Sequence, residues 1–421
     1  MRYERMSSEV FARNRAAYLA QMPEGSVSVF TGNDPLPTNA DGTFGFIQNS
    51  TFFYLTGIDQ EDGRLILVKG KGEWLFTRET SETLRVWDGE RLTKEEARAI
   101  SGVADVRWLD EFWGVLEKEV TGKTEVWWHL DTTQLDRFRS FRSKEKWLAD
   151  RFRDKYPLVE MRNAAGIVNQ LRLFKSESEL EAIGKAIDIT HRGFLRAARF
   201  LEPGRYEYEV EAEISHEFAM NRSRGHAFLP IVASGPESCV LHYVDNNRQC
   251  RDGELLLLDF GAEYGNYKAD MTRVLPVNGK FTDRQAEVYS SVLHVMKSLK
   301  AQMVTGNTVG NLKQEALHLV GEEIVKLGLA TAADVKAAPE MINTYLPHGV
   351  SHSLGLDVHD VGDKTTPFAP GMILTLEPGI YIREEAIGIR LENDILITPS
   401  GNTDLMAHVP LEMKDVEKAM Q

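Results

Sequence analysis

The C-terminal half of this chain places charged side chains inside segments that otherwise predict buried β-strands. Four acidic residues and one histidine each lie in a short run of apolar strand residues and glycine. An unpaired charge is costly to bury, so these segments can form a sheet only if the charged groups find partners. A shared metal ion would be such a partner for the five side chains Asp259, Asp270, His352, Glu377 and Glu392.

The first two acidic residues lie in one predicted β-hairpin, LLLLDFGAEYGNYKADMTRVLPV (255–277). Its Gly265-Asn266 pair is a two-residue turn signal. With that turn, Asp259 opposes Thr272 and lies diagonal to Asp270 on the same face of the ribbon. Two carboxylates at such a short distance repel each other, and the pKa of each rises unless a cation neutralises both.

The other two acidic residues occupy comparable positions. Glu377 ends the apolar run MILTLEPG, and Glu392 lies in the alternating run IGIRLENDILI, which predicts a strand. The charge of four carboxylates would be balanced by two divalent ions. Oxygen ligands with a single histidine favour harder ions such as Mn²⁺, with Zn²⁺, Co²⁺ and Fe²⁺ as alternatives. A lone acidic residue at a strand end is more often a turn or cap residue, so the metal interpretation depends on the whole set.

Further motifs surround these residues: LPHGVSHSLGLDVHD (346–360), LTLEPGIY (374–381) and GIRLEND (388–394). Together with the Asp-x10-Asp hairpin they resemble the metal-dependent "pita-bread" peptidases that act on Xaa-Pro bonds, the family of Xaa-Pro aminopeptidase (aminopeptidase P) and prolidase. The segment QNSTFFYLTGIDQED (48–62) resembles the N-terminal domain of aminopeptidase P. The resemblance therefore covers nearly the whole chain.

The resemblance implies an α/β N-terminal domain (residues 1–160) and an α+β pita-bread catalytic domain (residues 161–421). All seven tryptophans lie between Trp74 and Trp147, which also indicates two halves. In the first half, SVSVF, RLILVKG, GEWLF and TEVWWHL predict strands, and TKEEARAI predicts an exposed helix. The pattern Ser176-x-x-Glu179 is a capping box that opens a helix through Phe200, and a second helix is predicted over 208–223.

The resemblance also assigns roles to the site residues. All five residues of the first set become ligands of two divalent ions, and Glu377 in addition shuttles a proton. His359 faces the substrate, and His348 belongs to the shell of residues that supports the site. His242 is an active-site histidine that donates a hydrogen bond to the reacting carbonyl. Each histidine also has a plain alternative. Spacings of four and seven could put His348, His352 and His359 on one face of a surface helix, although Gly349 and Gly355 argue against it, and His242 in CVLHY could be a core residue.

Two further residues are candidates for the site. Arg390 lies two residues before Glu392, hence on the same face of a strand, and could orient a metal-bound carboxylate or be a surface cation. Trp87 in RVWDGER resembles a residue that reaches the active site of a neighbouring subunit, and its alternative is an ordinary half-buried aromatic. The first reading of Trp87 implies a homodimer or homotetramer.

Composition narrows the partners and the location. A net charge of −14 argues against nucleic acid or an anionic membrane as partner. Two cysteines give no disulfide framework, the N-terminus is too charged for a signal peptide, and no apolar run approaches the ~20 residues that span a bilayer. We therefore expect a cytoplasmic enzyme whose substrates are proline-containing peptides.

The leading hypothesis is a dinuclear Xaa-Pro aminopeptidase. The alternatives are a prolidase that cleaves Xaa-Pro dipeptides, a non-catalytic peptide-binding protein and a metal-free, creatinase-like C–N hydrolase. Two departures from the family pattern bear on this choice. Ile47 stands where relatives usually carry arginine, and the loop after His359 lacks arginine and offers only Lys364 as a cation, which leaves open how a substrate carboxylate would be held.

Overall fold

The computed structural model describes residues 3–130 and 143–421. These residues form two compact units, one of Arg5–Arg172 and one of Leu173–Gln421 together with Tyr3 and Glu4. The sequence places the boundary after residue 160. The units divide further along the chain because the strand Glu160–Asn163 pairs with the sheet of the N-terminal unit.

The N-terminal unit is built on a six-stranded mixed sheet with the order β4-β3-β2-β1-β5-β6. The strands are β1 (Val27–Thr31), β2 (Arg64–Val68), β3 (Gly72–Thr77), β4 (Asp105–Trp108), β5 (Glu125–Trp128) and β6 (Glu160–Asn163). The described helices of this unit are α1 (Ser8–Ala20), α2 (Ser50–Thr56), α3 (Glu82–Asp88), α4 (Lys94–Ser101), α5 (Phe112–Val120), α6 (Lys144–Lys155) and α7 (Ala165–Arg172).

The predicted elements of this unit are confirmed. The four apolar runs are β1, β2, β3 and β5. The predicted helix is α4, which begins with a capping box between Thr93 and Glu96 and ends at Gly102 in the left-handed conformation. It was expected to be exposed, but it buries Ala97 and Ile100 because its apolar residues share one face.

The C-terminal unit combines helices with small antiparallel sheets, in the orders β7-β8-β11, β12-β15-β16, β13-β14 and β9-β10. The described helices are α8 (Glu177–Phe200), α9 (Glu207–Met220), α10 (Asp283–Lys300), α11 (Val309–Lys326), α12 (Ala332–Ala337), α13 (Ile342–Tyr345) and α14 (Met413–Ala419). The strands are β7 (Ile231–Ser234), β8 (Leu255–Phe260), β9 (Glu263–Tyr264), β10 (Tyr267–Lys268), β11 (Met271–Pro276), β12 (Ile373–Leu376), β13 (Gly379–Ile382), β14 (Ile387–Arg390), β15 (Asn393–Thr398) and β16 (Gly401–Asp404). Two long helices followed by antiparallel strands thus occur twice, as α8 and α9 with β7–β11 and as α10 and α11 with β12–β16.

The helix starts of this unit follow the sequence prediction. The backbone N–H and Oγ of Ser176 both donate to Oε2 of Glu179, at 2.9 and 2.7 Å, so the predicted capping box opens α8. The second predicted helix is α9. Within residues 3–130 and 143–421, no helix combines the length and apolar character needed to cross a membrane.

The hairpin formed by β8 to β11 has the predicted register. Asp259 faces Thr272, and Gly265 and Asn266 both have positive φ, +61° and +69°, as a type I′ turn requires. Gly261 allows the two arms to approach closely, because a Cβ at this position would lie 1.7 Å from the carbonyl oxygen of Ala269. The register puts Asp259 and Asp270 on the same face of the ribbon.

Candidate metal centre

The five predicted ligand residues lie at or near the ends of β-strands, or on a segment paired with one. Asp259 lies near the end of β8, Asp270 immediately before β11, and Glu377 directly after β12. His352 lies on an extended segment that runs along β12, and Glu392 lies between β14 and β15.

The acidic residues surround the imidazole of His352. Its Nε2 lies 3.4 Å from Oδ2 of Asp270 and 3.7 Å from Oε1 of Glu377. In the part of the chain that the structure describes, Asp270, His352 and Glu392 form a metal-binding group in which one ligand atom from each residue lies within 4.8 Å of the others. This geometry suits a divalent cation bound between them.

Backbone pairing with β12 fixes the orientation of His352. The N–H of Thr375 donates to the carbonyl of His352 at 2.8 Å, and the N–H of Glu377 donates to that of Val350 at 3.0 Å. Nδ1 of His352 lies 3.1 Å from the carbonyl oxygen of Ser353, which can only accept, so Nδ1 donates this hydrogen bond and Nε2 is the ring nitrogen directed toward the carboxylates. The alternative of a helix carrying the three histidines is wrong, because none of the residues 348–359 is helical.

Burial disfavours the charged forms of the carboxyl groups at this site. It raises the pKa of Asp270 and of Glu392 well above the usual range of a carboxyl group, and the neighbouring carboxylates, including Asp259 and Glu377, raise both further. Burial also raises the pKa of Glu377 to about 7, although His352 and Arg390 oppose this change. A bound cation would remove the repulsion.

Two carboxylate oxygens have unused acceptor capacity. Oδ1 of Asp259 and Oδ1 of Asp270 are buried and accept no hydrogen bond from any described residue. A buried acceptor without a partner costs free energy, and a cation would supply one. The donor set therefore fits metal.

Arg390 is buried and holds Asp259. One NH₂ group donates to Oδ2 of Asp259, Nε donates to Oγ1 of Thr272 at 3.1 Å, and the other NH₂ group donates to the hydroxyl of Tyr381 at 2.8 Å. With 4% of its side chain exposed, Arg390 is not the surface cation of the alternative reading.

The predicted strand through Arg390 and Glu392 is interrupted. β14 ends at Arg390, and β15 begins at Asn393 in a different sheet, so the two side chains do not share one strand face. Glu392 is instead held by the hairpin. Its N–H donates to the carbonyl of Thr272 at 3.2 Å, and its Oε2 accepts from Oγ1 of Thr272 at 2.7 Å.

Sequence reasoning missed Tyr381, which connects Arg390 to His348. A guanidinium only donates, so the Tyr381 hydroxyl accepts from Arg390 and donates its own hydrogen to Nε2 of His348 at 2.8 Å. The proton of His348 then resides on Nδ1, which donates to the carbonyl oxygen of Gly349 and lies 3.6 Å from Oε2 of Glu377. Burial lowers the pKa of His348 to about 3 and raises that of Tyr381 to about 12, so both stay neutral. Tyr381 lies in LTLEPGIY, four residues after Glu377, and this spacing was the available signal.

The other two histidines are exposed at this site. The ring of His359 packs edge-on against that of His352, with centroids 4.3 Å apart. His242 follows the 3₁₀ turn Gly235–Cys239 and lies close enough to His348 to contribute to its lowered pKa. It is not the core residue of the alternative reading, because it is exposed.

Trp87 lies on α3 of the N-terminal unit and is 80% exposed. The adjacent Val86 is 81% exposed. The alternative of a half-buried aromatic is therefore wrong for this chain. Two neighbouring exposed apolar side chains on a short helix are available for contact with another molecule.

A buried array of carboxylates around a histidine is the kind of site that metal-dependent hydrolases use. The sequence model of metallopeptidase family M24 matches residues 181–399, and that of the aminopeptidase P N-terminal domain matches residues 11–127. The chain therefore belongs to metallopeptidase family M24. The predicted family and the predicted fold, an N-terminal α/β domain with a pita-bread catalytic domain, are confirmed.

Individual relatives match over almost the full length. The Xaa-Pro aminopeptidase of Escherichia coli is 34% identical over 99% of this chain and 98% of that protein. A solved structure described as a putative aminopeptidase P from Bacillus anthracis is 33% identical, covers 99% of this chain and 98% of that one, and superimposes with a TM-score of 0.93. Zinc-substituted E. coli aminopeptidase P in complex with product is 32% identical, with 99% of both chains covered and a TM-score of 0.90.

Proposed function

We propose that this protein is a dinuclear, metal-dependent Xaa-Pro aminopeptidase, which removes an N-terminal residue that precedes proline. The observation that carries the proposal is the buried convergence of acidic side chains on His352. The names of the full-length relatives support the substrate class. The proposed location is the cytoplasm.

The proposed ligands are Asp259, Asp270, His352, Glu377 and Glu392. Their charges would balance two divalent ions, and the predominance of oxygen donors favours Mn²⁺ over softer ions. When bound, such ions lower the pKa of a water molecule and polarise the carbonyl of the scissile bond. Arg390 holds the carboxylate of Asp259 in place through a hydrogen bond to Oδ2.

Glu377 is the proposed proton shuttle. Its carboxylate would accept the proton of the attacking water and then donate it to the proline nitrogen. Protonation of that nitrogen matters because the leaving group is a tertiary amide. His348, which burial keeps neutral and which Tyr381 orients through Nε2, lies beside Glu377.

His359 and His242 are the proposed donors to the substrate. Both are exposed, so they can face a bound peptide while His352 is directed toward the acidic residues. Hydrogen bonds from these side chains to the carbonyl oxygen would strengthen as negative charge develops in the transition state.

The length of the substrate distinguishes the two leading functions. A dipeptidase must bind the free carboxylate of proline directly after the scissile bond, a task for which a forked arginine is well suited. The loop 360–371 carries Lys364 as its only cation. We therefore expect kcat/KM to be higher for Xaa-Pro-Xaa tripeptides and longer peptides than for Xaa-Pro dipeptides.

This expectation is tested by incubating the Mn²⁺-supplemented protein with Ala-Pro, Ala-Pro-Ala and the control Ala-Ala-Ala, and by quantifying released alanine. Preferential cleavage of Ala-Pro-Ala supports the aminopeptidase. Cleavage of Ala-Pro with longer peptides left intact would instead identify a prolidase that uses the same site. Cleavage of Ala-Ala-Ala at a comparable rate would refute the proposed proline specificity.

We further propose a homodimer or homotetramer in which Trp87 completes the site of a neighbouring subunit. Its exposure supports this role. Trp87→Ala is expected to raise KM for Xaa-Pro-Xaa peptides while leaving the thermal unfolding temperature unchanged, because the side chain packs little within its own unit. Kinetics and sedimentation measure this. An unchanged KM, or a fully active monomer on dilution, would contradict it, and Val86→Ala is the matched control for a merely exposed neighbour.

A further inference from the structure

A buried ion pair lies directly after His359 in the chain, outside the residues that the proposed chemistry uses. Nζ of Lys175 lies 3.0 Å from Oδ2 of Asp360, and each side chain is only 2% exposed. In the surface pair Lys280–Glu417, by contrast, the lysine is 77% exposed. An exposed pair contributes little, whereas the partners of a buried pair are confined to one geometry. The contact therefore fixes two backbone segments relative to each other.

Lys175 contacts both ends of the segment 360–371, which we call the 360–371 loop. Its side chain binds Asp360 at one end, and its backbone N–H donates to the carbonyl of Gly371 at the other, at 2.8 Å. Lys175 directly precedes the capping box of α8. The start of this long helix thus anchors the loop at two points.

The Asp360 end of the loop is connected to the histidines of the site. The backbone N–H of Asp360 donates to the carbonyl of Ser353 at 2.9 Å, and the same carbonyl accepts from Nδ1 of His352. His359 is the residue before Asp360, and its ring packs on that of His352. A shift of Asp360 would therefore disturb both histidines.

Gly355 leaves the space that the ion pair occupies. A Cβ at this position would lie 2.2 Å from Oδ2 of Asp360 and 3.0 Å from Nζ of Lys175. Any side chain at residue 355 would therefore displace the pair. Position 355 in SLGLD therefore requires glycine for lack of space, independently of its backbone conformation.

We propose that Lys175 is a positioning residue, which clasps the 360–371 loop through Asp360 and thereby aligns His359 and His352 for the reaction. Its effect on turnover rests on the proposed function, whereas its effect on the loop does not. Lys175 acts through Asp360 and does not touch the substrate.

The first test compares Lys175→Met, Asp360→Asn and the double variant with wild type. Each single variant is expected to lose stability, because it removes one partner of a buried ion pair. The double variant removes both charges and recovers stability, but it lacks the clasp. Its kcat for Xaa-Pro-Xaa peptides is therefore expected to remain at least ~10-fold below wild type. The control is Lys185→Met, which removes an exposed lysine of α8 that pairs with Glu4. This variant should keep wild-type kcat.

The second test follows the loop itself by brief digestion with trypsin and mass spectrometry of the bond after Lys364, an exposed residue in the loop. Loss of the clasp is expected to speed this cleavage ~10-fold, because local proteolysis follows the population of opened loop. A double variant with wild-type kcat and wild-type cleavage after Lys364 would overturn the proposal. If wild type cleaves no Xaa-Pro peptide, the proposed function fails, and the trypsin measurement still decides the clasp.

Discussion

Glu392→Gln is expected to reduce peptide hydrolysis below detection and to lower the amount of bound metal. The substitution keeps the size of the side chain but removes one of the charges that would hold the cations. It does not threaten the fold, because burial and then the neighbouring carboxylates already raise the pKa of Glu392 in the metal-free protein. We therefore expect the unfolding temperature of the metal-free variant to equal or exceed that of wild type. Asp270→Asn should behave in the same way, for the same reason.

Elemental analysis, a peptidase assay and thermal unfolding measure these effects together. The matched control is Glu323→Gln, which changes a buried acidic residue on α11 that pairs with Lys326 away from the site. The control should retain activity and metal. Full turnover by a metal-depleted Glu392→Gln or Asp270→Asn protein would refute the site.

His359→Ala is expected to lower kcat by ~10²-fold or more while bound metal stays normal. The reason is that this side chain is proposed to donate a hydrogen bond that strengthens in the transition state, and it is not a proposed ligand. A loss of that size corresponds to about 2.7 kcal/mol of transition-state stabilisation.

His359 packs directly against the proposed ligand His352, so its effect on catalysis has to be separated from an effect on metal binding. Steady-state kinetics and elemental analysis are made on the same preparation. His318→Ala, which removes an imidazole that is 68% exposed on α11, serves as the control and should leave both readings unchanged. A parallel fall of metal content and rate in His359→Ala would contradict the assigned role.

Local sequence signals predicted the elements that carry the site. The turn at Gly265 and Asn266 specified the hairpin register, since a two-residue loop leaves only one pairing of its arms. That register brings Asp259 and Asp270 to one face, as the structure has it. The capping box at Ser176 was equally readable, because it depends on residues three positions apart.

Contacts between distant segments were not readable in this way. The run through Arg390 and Glu392 alternates like one strand, yet β14 and β15 pair in different sheets, and only tertiary pairing decides where the break falls. Tyr381 was missed because its role depends on Arg390 and His348, which approach it through folding. The same holds for Lys175, whose partner Asp360 lies far along the chain.

The central claim is that hydrolysis of Xaa-Pro bonds by this protein depends on two divalent ions held by the carboxylates around His352. The most direct measurement is a titration of chelator-treated wild-type protein with Mn²⁺, in which bound metal and the rate of Ala-Pro-Ala cleavage are followed together. The account predicts no cleavage without metal and full activity as occupancy approaches two ions per chain. Cleavage at an undiminished rate by protein shown to be free of metal would contradict it.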